Sequence, residues 1–322
     1  MRRFGAVVVC ALAVVPAASA PAAKRHVLLG VLGNRARMTQ LTGQSSAIGH
    51  VIVGWEQGRA WGAPMLTMLR QNAPHPMIGL DTGRGWPHRR EAITSRAIAL
   101  GQGDAYLFAI NRAIAAWRGP VFLRPFGEMN GHWNFYCAYN ANGSRRSAAH
   151  STRWFRKAFA RIYLIAHGGT ADEINPRLRR LGLPPIATDL AVNPAPLLQV
   201  VWNPQGFGNP DVPGNSAAAY YPGDAFADVI GDDVYDQGYH AQWPATERLY
   251  RAHPRKPFAF PEWGLWGIDD PPFVEHMARF VRSHGRVIFV SWFESRRGSI
   301  FDLASKPRSR AAYRRLITPL GR

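Results

Sequence analysis

Eight short apolar runs punctuate the chain: residues 26–33 (HVLLGVLG), 50–55 (HVIVGW), 76–80 (PMIGL), 121–126 (VFLRPF), 197–202 (LLQVVW), 226–235 (FADVIGDDVY), 256–263 (KPFAFPEW) and 286–292 (RVIFVSW). Their apolar content is mostly continuous rather than alternating, as expected of parallel strands covered on both faces. Between them, apolar residues recur at helical spacing over 104–117, with Asp104 as the expected N-cap, and over 151–167. Shorter helices are expected over 65–71, 245–252, 273–283 and 308–316. The stretch 41–43 reads as part of a loop, 209–221 as a loop, and 168–196 as a long Gly/Pro-containing surface connection with room for a short helix. Eight strands with helices between them predict an α/β fold, a (β/α)8 TIM barrel in a single domain. A doubly wound open sheet is the competitor, and it lacks the glycine-rich phosphate turn after the first strand.

Composition refines this in three places. With 47% hydrophobic and 19% charged residues over 322 positions, the chain has ample material for one large core. The N-terminus departs from the rest: Arg2 and Arg3 precede an apolar stretch and the small residues 17–23, the pattern of a signal peptide. Residues 1–22 are therefore expected to be removed, leaving residues 23–322 as the catalytic domain of a secreted protein, extracellular or periplasmic. No internal run is apolar for the roughly 20 residues a membrane span needs. Without that leader, Cys137 is the one cysteine left, so no internal disulfide is expected and a packed thiol is the simplest reading.

The net charge of +18 comes mainly from scattered arginines. Such a field suits solubility or an anionic ligand, and no zinc-finger spacing or RNA-binding aromatic signature accompanies it. No nucleic-acid partner, metal or cofactor is expected, and a monomer is. A metal at Asp232 and Asp233 would need a histidine at ligand spacing, which the sequence lacks.

In a barrel, working side chains sit at the C-terminal ends of strands. That filter leaves Glu56, Asp81, Glu128, Asp232, Asp233, Asp236, Glu262 and Glu294. Glu128 ends the fourth run and Glu262 the seventh, on opposite sides of the mouth, so both can face one cavity. Paired carboxylates are the machinery of glycoside hydrolysis. Asn130, Trp133 and their neighbours after Glu128 add an amide for hydroxyl groups and rings for pyranose faces. Glu294 reads as a salt-bridge partner of Arg296 or Arg297, and Asp211 as a loop acid within reach of a distal sugar.

The stretch Leu123-Arg124-Pro125-Phe126-Gly127-Glu128-Met129-Asn130-Gly131 resembles the strand-four motif of glycoside hydrolase family 26, the β-mannanase family of the retaining clan A hydrolases. Val201-Trp202-Asn203-Pro204, Tyr221-Pro222-Gly223-Asp224, Asp233-Val234-Tyr235 and residues 257–264 resemble its later strands. The resemblance implies a secreted enzyme acting within a β-linked polysaccharide, with mannan first, by a two-step retaining mechanism. Glu128 would be the acid/base and Glu262 the nucleophile, with Tyr235 bonded to the nucleophile. Arg124 would balance local charge, and Trp133, Trp202, Trp263 and Trp292 would be sugar-stacking surfaces, each of them equally consistent with core packing. The family's usual histidine before the acid is replaced by Gly127. A barrel that binds carbohydrate without turnover, or a hydrolase of another, acidic β-glycan, are the alternatives.

Overall fold

The computed structural model describes residues 26–55, 65–84 and 90–321. The expected leader, residues 1–22, and the candidate Glu56 lie outside them. Eight parallel strands close into one barrel in sequence order: β1 (Leu28–Leu32), β2 (Ile48–Val53), β3 (His75–Leu80), β4 (Val121–Pro125), β5 (Leu198–Trp202), β6 (Val229–Asp236), β7 (Phe258–Leu265) and β8 (Val287–Phe293), with β8 pairing back to β1. Each coincides with one of the eight apolar runs.

The barrel interior explains those runs. Ile48, Met77, Phe122, Val201, Val229, Ala259 and Phe289, one from each of β2 to β8, form their own buried cluster, joined by Leu28 of β1. This plug closes the centre of the barrel below the site. A second, larger core lies between barrel and helices, so most strand residues meet apolar neighbours on both faces.

Among the described residues ten α-helices surround the barrel: α1 (Arg35–Thr42), α2 (Met65–Gln71), α3 (Ser95–Ala99), α4 (Asp104–Trp117), α5 (Thr152–His167), α6 (Ala171–Arg180), α7 (Ala217–Tyr220), α8 (Trp243–Ala252), α9 (Pro271–Ser283) and α10 (Pro307–Leu316). The expected helices are all present. Asp104 is the first residue of α4 rather than its cap, and its carboxylate is held by Arg161. Three helices depart from expectation. α1, where a loop was expected to end, and α7, inside another expected loop, are short. α1 also buries only Met38 and Thr42, so no apolar stripe announces it. α3 is a five-residue helix capped by Thr94.

One irregularity places the site. In the β6–β7 ladder Gly231 pairs with Ala259 but Asp233 pairs with Glu262, so β7 carries one extra residue opposite Asp232. Pro261 lies in this bulge, where the missing N–H costs no ladder bond. The shift brings Asp233 and Glu262 side by side.

Candidate active site

Glu128 stands just beyond β4 on a backbone that turns sharply. Phe126 and Glu128 both adopt left-handed conformations, with φ of 55° and 54°. Tertiary bonds hold this turn: Glu128 N donates to Asn203 O at 2.7 Å, and Gly131 N closes onto Glu128 O at 2.8 Å. Non-glycine residues cost on the order of 1–2 kcal/mol in this region. The turn lifts the carboxyl group into the cleft, where Gln205 Nε2 donates to Oε1 and Trp133 Nε1 to Oε2, each at 3.0 Å.

Glu262 has a different environment. Arg124 Nη1 donates to its Oε1 at 2.5 Å and Tyr235 OH to its Oε2 at 2.7 Å. The same guanidinium reaches Asp233 through Nη2 and Asn203 Oδ1 through Nε at 2.7 Å. Asp233 Oδ1 in turn accepts the Glu262 amide at 2.9 Å, fixing the backbone that carries the carboxylate. A cationic donor and a phenol on Glu262 suit an ionised group.

Burial pushes Glu128 up to about 7, and the charge of Glu262 adds to the shift while Arg124 opposes it. Asp232, beside Asp233, also rises to about 7, mainly through burial, against the Gly206 amide that its Oδ1 accepts at 2.9 Å. Arg124 is raised although burial works against its charge, because Asp233 and Glu262 outweigh that penalty. Glu262 and Asp233 share the Arg124 guanidinium directly, and burial also raises Asp233 well above the usual carboxylate range, with Arg124 opposing it. One protonated and one charge-stabilised carboxyl group in a single cleft is the division of labour that acid-assisted displacement requires.

The cleft encloses about 650 Å³ and is lined by Glu128, Glu262 and Tyr235 together with the rings of Trp133, Phe207 and Trp266. Trp133 and Trp266 are 47% and 45% exposed, so both present free ring surface. Among the described residues no group of three or more His, Cys, Asp or Glu is placed to hold a metal ion.

No protein-family model matches the chain. Endoglucanase H of Acetivibrio thermocellus is 24% identical over 295 residues, a match that takes in 86% of this chain but 28% of that protein, so the chain spans little more than a quarter of that relative's length. Among solved structures, a Bacillus subtilis mannanase superposes with a TM-score of 0.57 at 18% identity, covering 91% of this chain and 86% of that one. A family 26 β-mannanase from Bacteroides ovatus gives 0.55 at 15% identity, over 93% and 90%. A Cellulomonas fimi endo-β-1,4-mannanase double mutant gives 0.56 at 17%, over 89% and 71%. The chain shares its fold with the family 26 β-mannanases.

Against that fold, Gly127 has a local explanation. A Cβ at this position would lie 2.4 Å from Arg124 Cζ and Nη2, so the guanidinium fills the space that a side chain before the acid would enter. Arg124 is therefore a buried charge partner rather than a sugar contact, 3% exposed.

Several expected sugar contacts need correction. Trp202, Trp263 and Trp292 are fully buried, with no free face for a pyranose. Trp263 instead packs on Trp292 and stacks on Tyr313, and Trp202 packs on Tyr221. Asn130 is buried too. Its amide donates to Gln205 O and Phe207 O at 2.9 and 2.8 Å and accepts from Gln205 N at 2.9 Å, so it clamps the loop after β5 and leaves nothing for a hydroxyl group. Glu294 pairs with Arg37, and accepts Trp292 Nε1 at 3.0 Å, rather than meeting Arg296 or Arg297. Asp81 caps the turn after β3 through Gly83 N, and Asp211 is exposed. Cys137 is buried, and burial raises its thiol, as a packed cysteine requires.

The residues that sequence reasoning passed over are Asn203, Gln205, Phe207 and Trp266. Asn203 and Gln205 follow β5 directly, in Asn203-Pro204-Gln205. The strand-end filter would have found them had it admitted amides as well as acids.

Proposed function

We propose that the protein is a glycoside hydrolase that cleaves within a β-linked polysaccharide by a two-step retaining mechanism. Glu262 attacks the anomeric carbon while Glu128 gives its proton to the departing glycosidic oxygen, leaving a sugar ester on Glu262 and a charged Glu128. Glu128 then takes a proton from water as that water attacks the same carbon, which releases the sugar and restores both carboxyl groups. Tyr235 and Arg124 hold Glu262 in its ionised orientation, and Trp133, Phe207 and Trp266 offer rings for the polymer. The observation that carries this reading is the unequal treatment of two carboxyl groups in one cleft: desolvation keeps a proton on Glu128, and Arg124 and Tyr235 stabilise charge on Glu262.

Mannan is the first substrate to try, because the structural relatives are mannanases, and β-glucan the second, because the curated relative is an endoglucanase. Residues 1–22 support export of the enzyme toward such polymers. The test is release of reducing ends from β-mannan, mixed-linkage glucan and xylan by the wild type, Glu128→Ala and Glu262→Ala. Activity on one polymer that vanishes in both variants is the expected result. Activity that survives in either would overturn the assignment of the two glutamates.

A further inference from the structure

The positive charge is unevenly placed. Residues 82–160 carry twelve Lys or Arg against three acids, so half of the net +18 falls in about a quarter of the chain. None of those acids is left to neutralise the surface. Glu128 lies in the cleft, Asp104 is held by Arg161, and Glu91 meets His150 Nε2 at 2.8 Å.

Within this region three cations gather on one indole. Arg96 and Arg153 place their guanidinium carbons 5.7 and 5.8 Å from the centre of the Trp154 ring, and Lys157 places Nζ 5.4 Å from it. Arg96 and Arg153 are exposed, Lys157 is half-buried, and none of the three forms an ion pair among the described residues. The Lys157 ammonium is depressed by burial and by the charge of Arg153, as an uncompensated like-charge neighbour requires. The electron-rich ring gathers these cations, each worth on the order of 0.5–1 kcal/mol at an exposed site, but does not cancel their mutual repulsion. An anion would.

The cluster also faces the right way. Arg153 and Trp154 occupy the first turn of α5, which opens from the long connection after β4, the connection that carries Glu128. Arg96 lies on α3, in the connection after β3, and the His150–Glu91 contact ties the two connections together. Both connections leave the C-terminal ends of their strands, so the cluster lies on the rim of the cleft face.

We propose that the Trp154 cluster is a docking surface for an anionic polysaccharide, whose carboxylate groups pair with Arg96, Arg153 and Lys157. Binding of single-stranded nucleic acid relies on open aromatic faces for its bases. Here the cations lie over the Trp154 ring, so the surface offers charge without a stacking platform. A polymer of carboxylated sugars needs only the charge. This assignment does not depend on the hydrolase reading, since it concerns binding outside the cleft.

The experiment titrates the protein with polygalacturonate over a range of salt concentrations. It compares the wild type, the triple variant R96Q/R153Q/K157Q, and a control, R179Q/R180Q/R248Q, that removes the same charge from exposed positions elsewhere. The triple variant is expected to bind at least about tenfold more weakly and to lose roughly 2 from the slope of log K against log salt, for three contacts at about 0.7 each. The control is expected to stay within about twofold. Unchanged binding in the triple variant, or an equal loss in the control, would overturn the proposal in favour of the protein's overall field. Tighter binding of duplex DNA with the same three-residue dependence would overturn the choice of glycan. Hydrolysis of neutral β-mannan is expected to be untouched by the triple substitution, so failure of the hydrolase reading would show separately.

Discussion

The indole of Trp133 donates to Glu128 Oε2 at 3.0 Å while its ring remains about half exposed. Gln205 occupies the other oxygen. Both donors favour the charged form of Glu128, and burial favours the acid strongly enough to win. Carrying the proton turns one oxygen into a donor that accepts more weakly, so one of the two N–H bonds loses strength. Gln205 is buried and its backbone is fixed by Asn130, which leaves Trp133 as the partner free to move.

Trp133→Phe should therefore raise the pKa of Glu128 further. A hydrogen bond to a charged group contributes about 1.5–3 kcal/mol when buried, and solvent at Trp133 reduces this, so the basic limb of kcat/KM should move up by roughly half to one pH unit. The optimum rate should fall through lost polymer contact. A pH–rate profile checks this, and an unmoved limb would place the indole away from the acid during turnover.

Glu128→Gln should cost activity on the order of 10²–10⁴-fold while making the fold less sensitive to pH. The carboxyl group titrates near 4.5 when unfolded and at about 7 when folded. Between these values the native state binds more protons than the unfolded one, so stability is full below about 4.5 and falls as pH rises toward 7. The shift corresponds to at most about 3 kcal/mol. Denaturant melts at pH 5 and pH 8 should show a smaller difference in the variant than in the wild type.

Gly127→Ala should destabilise the protein by roughly 1–3 kcal/mol, because its methyl group would displace the Arg124 guanidinium. Glu262 would lose its cationic donor in the same movement, so kcat should fall as well. A variant with wild-type melting temperature and kcat would show that the guanidinium shifts without cost.

Arg124→Met removes the charge that Glu262 and Asp233 share. Uncompensated buried carboxylates typically cost about 3–5 kcal/mol, so thermal unfolding should shift down by many degrees at pH 8 and by less at pH 5, where the carboxyl groups protonate more easily. Equal shifts at the two pH values would mean that Arg124 acts through packing alone.

The barrel was legible because its strands are covered on both sides and therefore read as unbroken apolar runs. Glu128 and Glu262 were legible because they end such runs. α1 was not, since its sequence RARMTQLT contributes one large apolar side chain to the core. The role of Asn130 was also hidden. An amide beside a strand-end acid looks the same in sequence whether it faces the cleft or the backbone of residues 205–207. Trp202, Trp263 and Trp292 pose the same difficulty, because strand position alone does not say whether a ring faces the cleft or packs beneath it. Glu294 found its partner 257 residues away, at Arg37, where no local spacing rule could reach.

Handedness leaves a mark of its own around the acid. At positions 126 and 128 a glycine would adopt the left-handed backbone without the penalty a side chain incurs. The chain instead carries phenylalanine and glutamate. The phenylalanine fills the core against Tyr136 and Phe155, and the glutamate contributes no such packing. The strain at position 128 thus presents a carboxyl group to the cleft, where that at 126 presents a ring to the core.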